Sequence, residues 1–365
     1  MRGITPELTS ELNEHFKDPN KVASGEAFRV STFRELMEYT AKLSYLNKDH
    51  LLFYRGQRND YRNRAGNSTF YPTIYRGDYL KLSELRNKFD ILDGAGKALV
   101  ELFETEKIDG YKDVKKREYI QWSILQHYEV CDTPLIDFTH SLRVACSFAL
   151  MDNDSGEAYV YIFGMPYFTN RISINSEHDI VNIRLLSICP PGALRPYFQE
   201  GYLIGTDGIK TNYESKTELD FNNRLIAKFK IPTDSNFWGE GFHKIPEGSL
   251  YPDNDPIKTL CDEIRVIARQ ELKSGDMGEF LKRWADIEEW LLTHANKLTL
   301  KHPSILEAVR ILHKNGVIND NHLYPINYLR TFRNRLVHEP KIIEPKDVIE
   351  NIERAEDVLG ILKMI

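Results

Sequence analysis

The most sustained helical period lies in the last quarter of the chain. Apolar side chains recur there at three- and four-residue intervals in four segments, Met277 to Leu298, His302 to Lys314, Tyr324 to His338 and Pro345 to Met364. This spacing predicts four helices, punctuated by Pro303, Gly316 and Pro340, and short connections between them predict a bundle. Upstream the pattern shortens. Leu51-Leu52-Phe53-Tyr54-Arg55, the run Ala158 to Phe163 and the run Asn222 to Ile231 read as strands. Thr32 to Leu46 reads as a helix capped by Ser31, with Phe33, Leu36, Met37, Thr40 and Leu43 on one face. Pro256 to Lys273 reads as another, with Leu260, Ile264 and Ile267 together. Pro6 to Phe16 is a short helical pattern in an N-terminal tail, and Ser274-Gly275-Asp276 is a polar break. The expected organisation is a tail over 1–29, an α+β domain over 30–274 and an all-α four-helix bundle over 275–365.

Composition narrows the class. With 365 residues, 41% of them hydrophobic, the chain can bury two cores. No run approaches the ~18 apolar residues of a membrane span, and Met1 to Pro6 lacks a signal-peptide core, so a cytoplasmic protein without membrane partners is expected. Cys131, Cys146, Cys189 and Cys261 are scattered without metal-ligand spacing, so no metal site is expected. A net charge of −6 argues against a protein that coats nucleic acid non-specifically, yet leaves room for local basic groups. Two occur, Arg55, Arg58, Arg62 and Arg64, and Arg330, Arg333 and Arg335. The first group reads chiefly as surface.

The second basic group carries chemistry. In the run Tyr328 to Pro340, Arg330, Asn334 and His338 are spaced four apart and stack on one helical face, while Leu329, Phe332 and Leu336 face a core. Pro340 ends the helix just beyond His338, where the C-terminal partial charge favours imidazolium. A histidine titrating near neutrality can exchange a proton with a ribose hydroxyl or a leaving oxygen. The competing reading makes the Arg-Asn pair a partner for helix-end carbonyls and the histidine a surface cap. Arg333-Asn334-x-x-x-His338, set in four helices, resembles the arginine-x4-histidine signature of HEPN domains. That resemblance implies a metal-independent endoribonuclease of bacterial toxin or antiviral systems. Arg333 and His338 of two protomers would meet across a homodimer, with Asn334 as polar partner, RNA as substrate and no cofactor needed. Arg330 joins the catalytic set on helical spacing alone.

The upstream region carries ordered blocks. Tyr54-Arg55-Gly56-Gln57, Phe70 to Arg76, Gln126-His127-Tyr128, Leu135 to Thr139 and Ala145 to Ala149 resemble the FRG domain over roughly residues 30 to 269. Tyr54 replaces the name-giving phenylalanine, Glu129 stands where glycine is usual, and Asp132-Thr133-Pro134 replaces Pro-Thr-Arg. Arg55, the Thr139-His140-Ser141 step and the following strand resemble the split mixed β-sheet core of ADP-ribosyltransferases, which hold NAD. The resemblance implies an arginine fork for a phosphate, hydroxyls at Thr139 and Ser141 for a ribose, and a carboxylate for transfer. Gln199 and Glu200 are the candidates for that last slot. A glutamine there would fit a nucleotide sensor, a glutamate a transferase. Gln57, Gln126 and His127 complete the candidate pocket, and the alternative for Arg55, Gln126 and His127 is a purely structural buried network. His127 and Asp137 suggest a hydrolase dyad, but no framed nucleophile accompanies them, nor is there a Walker loop.

The leading expectation is an antiviral or toxin effector that cleaves RNA through the bundle, with the FRG domain as nucleotide-binding sensor. The alternative is an NAD-dependent ADP-ribosyltransferase in which the bundle dimerises. A third is a non-catalytic regulator that binds a ligand, a protein trigger or an antitoxin.

Overall fold

The computed structural model describes all residues except 78–81, 209–210, 269–273, 300–302, 339–342, 344 and 365. The side chains of 83, 84, 87, 266–268, 274–276, 338, 345 and 346 also lie outside the described set. The chain divides into two compact units, Met1–Ala268 and Arg269–Ile365. The architecture is α+β, as the hydrophobic pattern predicts.

The first unit is built on one mixed sheet of eight strands. These are β1 (Phe28–Arg29), β2 (Leu51–Gln57), β3 (Leu135–Thr139), β4 (Glu157–Met165), β5 (Ile172–Asn175), β6 (Ile180–Arg184), β7 (Gly201–Thr206) and β8 (Leu225–Pro232). Their order is β1-β8-β4-β2-β3-β7-β6-β5. β1 and β8 run parallel and the other neighbours antiparallel. The third predicted strand starts three residues late, because Asp220 caps a short 3-10 turn at Phe221–Arg224 that occupies its expected first residues.

Residues 1–29 form no separate tail. Leu8, Leu12 and Phe16 are buried in the same core as β2, β4 and β8, and β1 joins the sheet. The Asn47 side chain holds this segment by bonding both the amide and the carbonyl of Glu7. The pattern-predicted helix α1 (Phe33–Leu46) is capped by Thr32 rather than Ser31, with Thr32 Oγ1 accepting from the Glu35 amide at 3.1 Å. Helices α2 (Leu82–Thr105), α3 (Glu118–His127) and α5 (Pro256–Ala268) share a second core with residues of β3, β6 and β7. Helix α4 (Leu142–Ala149), capped by Ser141, lies against β2. The predicted extension of α5 to Lys273 falls outside the described residues from 269 onward.

The second unit contains α6 (Ser274–Asn296), α7 (Ile305–Lys314), α8 (Asp320–His338) and α9 (Pro345–Leu362). Each matches a predicted segment. Helix α8 begins four residues before the expected Tyr324, with Pro325 inside it. The core joins Phe280, Trp284, Ile287, Leu291, Leu329, Phe332, Leu336 and Leu359, one stripe from each long helix. Among the described residues, no helix is long and apolar enough to cross a membrane. All four cysteines are free thiols.

Candidate functional site

The first candidate site forms where two central strands separate. β2 and β3 register at a single pair, Tyr54 with Thr139. At the next residue the Arg55 side chain takes over the contact, its Nη1 donating to the Asp137 carbonyl at 2.6 Å. Gly56 makes this possible. A Cβ there would lie 1.8 Å from the Ala145 carbonyl oxygen, so α4 packs directly on the bare backbone of β2 while Arg55 projects from the other face.

Around Asp137 the polar groups converge. Gln126 Nε2 donates to Asp137 Oδ2 at 2.9 Å, and Gln126 Oε1 accepts from Thr133 Oγ1 at 2.6 Å. The Thr133 amide donates to Thr73 Oγ1, which ties the Phe70–Arg76 block to the same point. His127 Nδ1 lies 3.8 Å from Asp137 Oδ1. Beyond His127, Glu129 takes a left-handed backbone (φ 55°), the conformation that a glycine adopts without strain. The loop therefore keeps its turn with a glutamate in place. The Arg195 guanidinium supports the turn, donating to the His127 carbonyl and lying over the Tyr128 and Tyr251 rings.

The charges are unequal in exposure. Burial pushes the Asp137 carboxyl up, but His127, Arg55 and Gln126 outweigh it and leave it below the usual aspartate range. Burial lowers Arg55 to about 10, with Asp137 opposing and Arg76 adding to the shift. Yet the Asp137 side chain is 42% exposed. Among the described residues, Arg55 Nε, Gln57 Oε1 and His127 Nε2 are buried without a hydrogen-bond partner. An open carboxylate beside three unanswered polar atoms is suited to a polar ligand.

The other residues expected here do different work. Thr139 Oγ1 donates to the Gln199 carbonyl and its oxygen accepts from the Ser141 amide. Ser141 caps α4 through the Val144 amide. Gln199 is buried and its Nε2 donates to the Leu250 carbonyl at 2.8 Å. Glu200 caps the preceding turn in a left-handed conformation, with its side chain exposed. The carboxylate beside Arg55 is thus Asp137. In the sequence Asp137 is a candidate only as a hydrolase partner of His127, and Arg195 opens the segment that holds Gln199 and Glu200, whereas nothing local marks Tyr251. In the first basic group, Arg62 is bound by Asp60, Glu26 and backbone carbonyls, and Arg58 pairs with Asp152 on the surface.

The second candidate site lies on α8. Leu329, Phe332 and Leu336 are buried, as the spacing requires. Arg330 and Arg333 are half-buried and Asn334 is exposed, with Arg333 Nη1 donating to Asn334 Oδ1 at 3.2 Å. Arg330 Nε is buried without a partner among the described residues. His338 closes the helix, but its side chain and Pro340 lie outside the described residues.

Comparison with protein-family models matches residues 50–158 to the FRG domain and residues 285–363 to the description "Ribonuclease HepT-like". The chain carries an FRG domain followed by a HepT-like domain. Neither the curated proteins nor the solved structures contain a match. The FRG match includes Arg55, Gln126, His127 and Asp137, and the HepT-like match, which belongs to the HEPN-type ribonucleases, spans Arg330 to His338.

Proposed function

We propose that the protein is an endoribonuclease acting through its HepT-like domain, with Arg333 and His338 as the catalytic pair. The observation that carries this reading is the Arg330-Arg333-Asn334 surface of α8, held on a buried leucine and phenylalanine stripe within the region matched to a ribonuclease family. In the proposed reaction the ribose 2′-oxygen attacks phosphorus and the bond to the 5′-oxygen breaks. A base takes the 2′-hydroxyl proton and an acid gives one to the leaving oxygen, leaving a 2′,3′-cyclic phosphate and a 5′-hydroxyl. His338 serves one of these proton transfers and Arg333 neutralises the crowded phosphate. One helix supplies one histidine, which is why a homodimer is the proposed active form. Arg330 and Asn334 orient Arg333.

Incubation of the full chain with cellular RNA in chelator tests this. Wild type gives fragments with cyclic phosphate ends. His338→Ala lowers the rate by roughly 10²–10⁴-fold. Fragments ending in 3′-hydroxyl, or cleavage equal in both proteins, would refute it.

The FRG cleft supports a second part of the reading. The Arg55 guanidinium, the open Asp137 carboxylate and the unpartnered Gln57 and His127 atoms fit a nucleotide, with phosphate at Arg55 and a hydroxyl or amine at Asp137. In this reading the domain senses a nucleotide and the bundle responds, as a bacterial antiviral or toxin effector would. NAD fits the same donors and would supply a transferable ADP-ribosyl group. NAD consumption lost in Arg55→Ala and kept in His338→Ala would favour transferase activity instead. The commitment of Thr139, Ser141 and Gln199 to backbone partners weighs toward sensing. Tight nucleotide or protein binding without any turnover would favour the regulator.

A further inference from the structure

Helix α8 shows a second feature that the cleavage chemistry does not use. Tyr324 and Tyr328 are 77% and 39% exposed, and neither belongs to the bundle core. They are one helical turn apart on the same face, with ring centroids 6.2 Å apart and planes inclined by 31°. From α9 the Arg354 guanidinium lies 4.6 Å from the Tyr328 ring centre. Arg354 is held there by Asn351 Oδ1, and the buried Asn351 is itself anchored on the Asp347 carbonyl. Thr331 and Arg335, both exposed, continue the tyrosine stripe toward the His338 end. No acidic residue follows Asp320 anywhere in α8.

Two exposed rings backed by an arginine, on a helix face without carboxylates, match single-stranded nucleic acid better than a protein partner. Bases stack on tyrosine whatever their sequence, and arginines answer the phosphates between them. We propose that Tyr324 and Tyr328, with Arg354 behind them and Arg335 alongside, form a stacking platform for single-stranded RNA. The strand runs from this platform along α8 to the Arg333–His338 end. At ~1.5 Å per residue, the distance from Tyr328 to His338 is roughly 15 Å, a span of a few nucleotides. The choice of RNA rests on the ribonuclease reading. The platform rests on side chains separate from the catalytic pair, and it selects unpaired over duplex RNA because only unpaired bases offer their faces.

Fluorescence anisotropy of the full chain with a labelled 2′-O-methyl RNA oligonucleotide, which cannot form a cyclic phosphate, tests the platform without cleavage. The double substitution Tyr324→Ala and Tyr328→Ala weakens binding about ten-fold or more. Tyr324→Phe with Tyr328→Phe retains binding, since stacking needs the ring and not the hydroxyl, and circular dichroism checks that each variant is folded. Unchanged affinity in the alanine variant would overturn the proposal. So would a loss of affinity that tracks loss of self-association in sedimentation, which would assign the tyrosines to an interface with a second copy. Tyrosine-dependent binding in a protein that does not cleave RNA would sink the ribonuclease reading and leave the platform standing. Cleavage with tyrosine-independent binding would do the reverse.

Discussion

The two candidate sites use polar groups in opposite ways. In the FRG domain, Arg55, Gln126 and His127, from one strand and one helix, converge on Asp137 of a second strand and partly bury it. In the HepT-like domain, Arg330, Arg333 and Asn334 come from one helix and stand on its surface. Separating strands of a sheet can converge groups from distant parts of the chain, whereas the side chains of a single helix diverge from its axis. The cleft is therefore complete within one unit. The helical surface needs a facing partner to become a cleft, which is the physical reason a homodimer is proposed for it.

The difference can be broken most sharply at backbone level. Gly56→Ala should destabilise the FRG unit by about 3 kcal/mol or more, because its Cβ would meet α4 backbone that cannot move without unseating the helix. Hydrogen exchange resolved by unit reads this, with amides of β2 and α4 losing protection while those of α6 to α9 keep theirs. Preserved protection in β2 would show that α4 is not held there.

Removal of the charges separates the sites next. Asp137→Ala leaves Gln126 Nε2 without its acceptor and removes the carboxylate charge facing Arg55, whose bond to the backbone carbonyl at 137 remains, and should cost about 1–3 kcal/mol, whereas Arg333→Ala should change stability by less than about 0.5 kcal/mol while lowering RNA cleavage about 10²-fold or more. Equal stability losses in the two variants would mean that α8 is as interlocked as the cleft.

A pH effect is expected in the FRG unit. His140 packs against the Phe53 and Tyr202 rings, and burial, with Arg184 adding to it, lowers its pKa to about 4. Between about 4 and the unfolded value near 6.5, the unfolded chain takes up a proton that the folded one refuses. Stability contributed by neutral His140 is thus complete above pH 6.5 and falls as pH drops toward 4, by an amount on the order of 1–2 kcal/mol. His140→Phe should flatten this slope in urea unfolding at pH 7 and pH 5. An unchanged slope would place the titration elsewhere.

The smallest effect reverses the first. Gly360 lies within α9 with nothing within 4 Å of a would-be Cβ. Gly360→Ala should stabilise the bundle by about 0.5–1 kcal/mol, visible as slower exchange in α9. A loss of protection there would reveal a contact that the open surroundings do not show.

Local pattern was sufficient for much of this molecule because the information it needs is local. A stripe such as Leu329-Phe332-Leu336 can be buried in only one way, so the four C-terminal helices and the polar face of α8 followed from spacing. The ordered blocks of the FRG domain were legible too, and the structure gives them a shared cause. Thr73, Gln126 and Asp137 belong to separate blocks and, with Thr133 of the intervening loop, bond to one another in one network. Residues 1–29 belong to the sheet domain, and their few apolar residues acquire meaning only against β8 and the core, which local pattern does not reveal. Helix α2 went unread, with Gly94 and Gly96 interrupting its middle.

By itself the sequence determined the two-part architecture, the bundle and the residue types at each candidate site, since periodicity and side-chain chemistry act over one or two turns. Only the tertiary structure decided which groups meet. Arg55 and Asp137 are 82 positions apart in the chain, and neither the opening of β2 from β3 nor the diversion of Thr139, Ser141 and Gln199 to backbone carbonyls and caps is written in local spacing. Those choices follow from the close seating of α4 on Gly56 and from the tendency of buried polar groups to find partners, which is settled by the whole fold at once.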